Sequence, residues 1–153
     1  MGYEIKPAYD RLDEVVTLFK EYHKHLGVDL CFQNYDEELA SLPGKYALPE
    51  GRLYVIYLED KLAGCIALRR YDDTRCEMKR LFVRSQFRGL RLGQVLAERI
   101  IQDAKAIGYK EMVLDTLSTL ESAVTMYRRM GFQEIPPYYD NPLHDVLYFK
   151  LIL

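Results

Sequence analysis

The feature that most constrains this chain is an apolar strand that runs through a basic, glycine-bearing loop into a long amphipathic helix. Met78–Val83 is the strand, Arg84 to Arg91 the loop, and Leu92–Ile107 the helix, which Gly108 ends as a C′ residue. A further apolar run, Glu111–Thr116, reads as the next strand. A helix-length crossover between two strands favours parallel pairing. The loop itself has a chemical meaning. Backbone N–H groups at a helix start lack intrahelical partners and carry the positive end of the macrodipole. Glycines at positions 89 and 93 let backbone approach a ligand closely, so the unit reads as a cradle for a phosphate-bearing ligand. A plain strand–helix connection with a solvated arginine cluster is the alternative. Neither a dinucleotide fingerprint nor a Gly-Lys-Ser/Thr loop is present.

Around this unit the chain alternates short elements. Tyr3–Lys6 is a strand ended by Pro7, and Asp10 is the expected cap of a helix reaching about His25, with Leu12, Val15, Val16, Phe19 and Tyr22 as its apolar stripe. Asn34 or Asp36 is the expected cap of a short helix near Glu37–Ser41, in a stretch broken by Pro43-Gly44 and Pro49-Glu50-Gly51. Leu53–Leu58 and Leu62–Leu68 form a hairpin about Glu59-Asp60-Lys61, and Cys76–Val83 makes it an antiparallel meander. Ser118 or Thr119 is the expected cap of a helix through Arg129, followed by short strands at Phe132–Ile135 and Val146–Ile152. In the third strand, strict alternation would put Glu77, Lys79 and Leu81 on one face; a β-bulge near Arg80 resolves that conflict.

With 153 residues and no linker, repeat or low-complexity tract, the chain reads as one α/β domain spanning 1–153. A net charge of −2 leaves nucleic acid without an electrostatic footprint, and the local basic patch (Lys79, Arg80, Arg84, Arg88, Arg91) suits a small anion. Three cysteines, Cys31, Cys65 and Cys76, lack metal-ligand spacing; Cys65 and Cys76 fall in apolar strands as buried free thiols. No metal site is expected. The pair His23 and His25 alternates faces of its helix, unlike an i, i+4 metal pair, and reads as surface histidines. With no secretory h-region and no membrane-length apolar run, the expectation is a cytoplasmic protein with no membrane partner.

Arg88-Gly89-Leu90-Arg91-Leu92-Gly93 resembles the Gln/Arg-x-x-Gly-x-Gly/Ala signature of the GNAT superfamily, the acyl-CoA-dependent N-acyltransferases. Glu77–Val83 is similar to that family's fourth strand, and Ala123–Phe132 to its Ala-x-x-x-Tyr-x-x-x-Gly-Phe segment. The likeness is strongest from Cys76 to Phe132. It implies a mixed, mostly antiparallel sheet of about six to seven strands with about four helices, the fourth and fifth strands splayed. It further implies acetyl-CoA as co-substrate, held by Leu81, Phe82, Val83, Arg88, Gly89, Leu90, Arg91, Leu92, Gly93, Gln94 and Tyr127, with no metal. Transfer to an amine acceptor would use Glu77 as general base, with Asp115 and His144 as lesser candidates, and Tyr127 as proton donor to the leaving thiolate.

For Glu77 the alternative is a surface carboxylate paired with Lys79 or Arg75, and for Tyr127 a core aromatic beside Ala123 and Met130. There are two departures from the family pattern. Arg91 stands where a signature glycine is usual, and is expected to serve if its φ is negative. Leu120 stands where an asparagine is frequent, a gap that Ser118 or Thr119 would have to fill. The loop Pro136–Pro142 is expected to shape the acceptor pocket or to be a plain turn, and a homodimer is possible. A non-catalytic acyl-CoA-binding domain of the same fold is the main rival reading, and a purely structural interaction module is a third.

Overall fold

A computed structural model describes residues 2–27 and 34–153; Cys31 lies outside them. Seven strands form one sheet in the order β1-β2-β3-β4-β5-β7-β6. They are β1 (Tyr3–Pro7), β2 (Arg52–Leu58), β3 (Lys61–Arg70), β4 (Arg75–Val83), β5 (Glu111–Leu117), β6 (Gln133–Ile135) and β7 (Val146–Ile152). Four helices accompany them: α1 (Leu12–Leu26), α2 (Tyr35–Ala40), α3 (Leu92–Ile107) and α4 (Glu121–Arg129). Every pairing is antiparallel except β4 with β5, which is parallel, as the α3 crossover requires. The order, the pairings and the helix count are those that the resemblance implies.

Two apolar layers hold the sheet. On one face Val15, Leu18 and Phe19 of α1 pack with Tyr35, Tyr46 and inward residues of β2 to β4. On the other, Leu96, Ala97, Ile100 and Ala104 of α3 pack with Ile56, Ile66, Leu68 and Met78 and with Tyr127 of α4. Tight turns fix the register. Glu59 and Asp60 join β2 to β3 with φ of 51° and 66°, the left-handed pair a two-residue hairpin turn needs.

Three expected caps differ. Asp10 does not cap α1; it accepts from the Nε of Arg11, the residue at the N-cap position. Asn34 sits at the N-cap of α2 in left-handed conformation without a side-chain bond, and α2 ends at Ala40. Leu120, not Ser118 or Thr119, is the N-cap of α4. In each case no side-chain hydrogen bond sets the boundary.

The bulge is where the alternation places it. Cys65 pairs with Phe82 and Ala67 with Lys79, so Arg80 and Leu81 together stand opposite Ile66. Arg80 has φ of 59°. Glu77, Lys79, Arg80 and Phe82 thereby turn to the α1/α2 face, while Leu81 and Val83 pack on the α3 face. Gly64 permits this, because a Cβ there would sit 2.4 Å from the Phe82 carbonyl oxygen. Gly64→Ala is therefore expected to destabilise the fold by about 2–3 kcal/mol, read as a lower denaturant midpoint at unchanged slope.

Candidate active site

The strand–loop–helix unit is built from β4, a short 3₁₀ turn at Ser85–Phe87, and α3. Among the described residues no backbone carbonyl accepts from the six successive N–H groups of Gly89 to Gln94; the first α3 bond runs from Val95 N–H to the Arg91 carbonyl. Six open donors at the positive end of a helix dipole make an anion site. Gly89 has φ of 81°, a conformation glycine enters freely. Gly93 is different: its φ is negative, and an added Cβ would come no nearer than 3.9 Å to atoms outside its helix. Packing alone does not require glycine there, whereas a ligand lying against the backbone does.

Arg91 corrects one expectation. Its φ is 62°, not negative, so an L-residue occupies a left-handed conformation that glycine enters more readily. The basic patch is also divided. Arg80 is buried and forks onto Glu38, Nε to Oε2 and Nη2 to Oε1 both at 3.0 Å, and Arg84 forks onto Glu21. Arg88 donates to the Val83 carbonyl at 3.0 Å. Only Arg88 and Arg91 remain beside the open amides.

Beyond the loop, the sheet opens. β4 and β5 share three rungs, Arg75 with Glu111, Cys76 with Met112 and Glu77 with Val113, and then separate. A cleft of about 90 Å³ occupies the fork, lined by Met78 to Leu81 on one side and Leu114 to Leu117 on the other. Leu81 lines it; Phe82 and Val83 continue β4 past it. Tyr127 closes one side with Leu120 and Ala123. Tyr127 is both core aromatic, edge-on to Phe132, and cleft residue. Burial pushes its phenol well above the ordinary 10.0, so it stays protonated, and no other described residue hydrogen-bonds it.

Glu77 is not the surface carboxylate paired with Lys79 or Arg75. It is 1% exposed, accepts from Arg69 Nε at 2.7 Å on one oxygen and from the Tyr138 hydroxyl at 2.6 Å on the other. Burial alone would raise its pKa; Lys79, Arg69 and the two hydrogen bonds outweigh that and hold it below 4.5. Asp115, on β5 within the cleft, accepts from the Tyr139 hydroxyl. His144 is exposed and lines neither space. The loop Pro136–Pro142 is thus more than a turn, since its two tyrosines reach carboxylates on both arms of the fork.

A second, wider cavity of about 580 Å³ lies on the α1/α2 face, walled by α2 and the Pro43–Tyr46 turn, with Arg69, Tyr71, Glu77, Lys79 and Tyr139. Among the described residues, Lys79 alone lines both cleft and cavity. Arg69, Tyr138 and Tyr139 have no assigned role at the sequence level. The hairpin register, which sets Arg69 opposite Glu77, was the signal available for the first of them.

Residues 12–132 match the family model described as the acetyltransferase (GNAT) family. An N-acetyltransferase of Schizosaccharomyces pombe, itself uncharacterised, is 46% identical over 142 residues, 92% of this chain and 87% of that protein. An acetyltransferase structure from Streptococcus agalactiae superposes with a TM-score of 0.83 at 25% identity, over 100% of this chain and 99% of that one. A GNAT family acetyltransferase from Elizabethkingia anophelis, solved with acetyl-CoA bound, gives 0.66 at 21% identity, over 99% and 98%. The chain belongs to the GNAT family and is an N-acetyltransferase. Among the described residues, no helix is long and apolar enough to cross a membrane.

Because the folded-state pKa of Glu77 is depressed, its contribution to stability is fully present above about pH 4.5 and is lost as pH falls through the folded value. The stability gap between the wild type and Glu77→Gln, measured by denaturant titration, is expected to be largest at neutral pH and to shrink below pH 4. A gap independent of pH would contradict the ion-pair account.

Proposed function

We propose that this N-acetyltransferase moves the acetyl group of acetyl-CoA directly to a primary amine of a small acceptor, with both substrates bound together. The observation that carries this reading is the meeting of two spaces at the β4 bulge: the narrow cleft between β4 and β5, and the wider cavity beside it. The related fold that holds acetyl-CoA supports the choice of donor. In this reading the amides of Gly89 to Gln94, with Arg88 and Arg91, take the pyrophosphate. The free edge of β4 beyond its last rung, from Leu81 through Phe82 to Val83, takes the amides of the pantetheine arm as an added strand would.

Chemistry follows from the charges at the junction. The acceptor nitrogen attacks the thioester carbon, the carbon–sulfur bond breaks, and the sulfur leaves. A backbone N–H of β4 past the bulge stabilises the developing oxyanion, an interaction whose loss elsewhere lowers rate by about 10²–10³. Tyr127, kept neutral by burial, hands its proton to the thiolate.

Glu77 is the proposed base. Arg69 and Lys79 keep it anionic, so it is a weak base toward a free alkylammonium of pKa about 10.4. Its proton arrives late, through water or the Tyr138 hydroxyl, once carbon–nitrogen bond formation has made the nitrogen acidic. Among the described residues a covalent acetyl-cysteine route has no support: Cys65 and Cys76 are buried, line neither space, and burial pushes the Cys76 thiol up to about 12.

Free CoA should be released from acetyl-CoA with a panel of small amines. Tyr127→Phe is expected to lower kcat by about 10²-fold with little change in the KM for acetyl-CoA, and full kcat in that variant would dismiss Tyr127 as acid. Glu77→Gln is expected to lower kcat/KM for the amine by a similar factor while calorimetric acetyl-CoA affinity is retained. Gly93→Ala should be no less stable than the wild type, since a helical glycine is disfavoured by roughly 0.5–1 kcal/mol against alanine. It should nevertheless bind acetyl-CoA about tenfold more weakly; equal affinity would mean that nothing lies against Gly93.

A further inference from the structure

Lys79 is the one described residue that faces both the cleft and the wider cavity. Whatever it binds in the acceptor therefore lies within a few ångströms of the reacting nitrogen. Its surroundings are cationic and anionic in nearly equal measure: Arg69 and Arg80 on one side of the account, Glu77 and Asp115 on the other. Three of these charges are already committed in fixed geometry. Arg69 and Glu77 form a cross-strand pair at 2.7 Å, and Arg80 is forked onto Glu38 at 3.0 Å. The same cavity carries a second lysine, Lys45, on the turn at its wall.

From this placement, and on the reading of the site given above, we propose that the acceptor is an α-amino acid whose carboxylate is held by Lys79 beside the amine to be acetylated. An α-carboxylate is two bonds from the α-nitrogen, so a cation at the junction can hold it while the nitrogen faces the thioester. The remaining cavity of about 580 Å³, walled by Tyr46, Tyr71 and Tyr139, receives a sizeable side chain. A polyamine, or the side-chain amine of an internal lysine, brings no anion for Lys79 to hold. The same cation assists the chemistry, because a positive neighbour disfavours the ammonium form of the acceptor amine. Burial, opposed by Glu77, lowers the pKa of Lys79 itself, and an arriving carboxylate reverses that shift.

The test compares L-amino acids with their carboxamides, which keep the amine and side chain and lack the anion. Acetyl-CoA-dependent CoA release should favour the acids by about 50-fold in kcat/KM, the range of a charge-assisted hydrogen bond. Lys79→Met should reduce that ratio to near one and Lys79→Arg should restore part of it. In parallel, calorimetry with CoA present compares N-acetyl amino acids with N-acetyl amino carboxamides, which needs no turnover and no variant. Amides used as well as acids, or an acid preference that survives Lys79→Met, would overturn the carboxylate site and leave the transferase reading standing. Preferential binding of the N-acetyl acids without CoA release from any amine would support the site and overturn direct transfer. Absence of preference in both measurements would overturn it outright.

Discussion

The site depends on one local event in β4, the left-handed turn of backbone at Arg80. Such a conformation disfavours an L-residue by about 1–2 kcal/mol. The arginine is held there by its bidentate pair with Glu38, while its carbonyl accepts from the Cys65 thiol. Removing one partner of a buried pair costs about 3–5 kcal/mol, enough to outweigh the strain. The turn resets the alternation of side chains, so that charges before it and apolar residues after it face opposite layers. It falls three residues past the last rung shared by β4 and β5, where the two strands have already parted. The fork, the free edge and the junction of the two spaces follow from that position.

Much of this was legible in the sequence because it is local. The bounds of α3 and β7, the meander and the parallel crossover follow from periodicity and glycine placement, and the break in alternation at Glu77, Lys79 and Leu81 located the bulge. The caps failed because Asp10, Ser118 and Thr119 have suitable side chains but the helices start at Leu12 and Glu121. The setting of Glu77 was hidden for another reason. Its partners are Arg69, on the neighbouring strand, and Tyr138, 61 residues away in a loop with no periodic pattern. The condition set for Arg91, a negative φ, is not met, because the loop passes through it in left-handed conformation.

The same contrast separates the two halves of the site. Residues proposed for the donor come from one nearly continuous stretch, β4 through α4. The cavity proposed for the acceptor gathers its walls from α2 and the turn after it, the end of β3, and the β6–β7 loop. Its charges are assembled by folding rather than by spacing, which is why a family signature reveals the donor and leaves the acceptor unread. Lys79 is the point of contact between the two, and it adjoins the bulge.

Tyr138 and Tyr139 are adjacent in a proline-flanked loop, yet one bonds a carboxylate on β4 and the other a carboxylate on β5. Beyond their last shared rung the two strands have no ladder between them. Glu77 stands on that rung and Asp115 beyond it, so the dipeptide, seated against Tyr71 and Tyr148, links the closed end of the ladder to its open arm. A change in that loop would therefore alter the width of the gap without touching the sheet, much as a spacer sets the opening of a jaw whose hinge lies elsewhere.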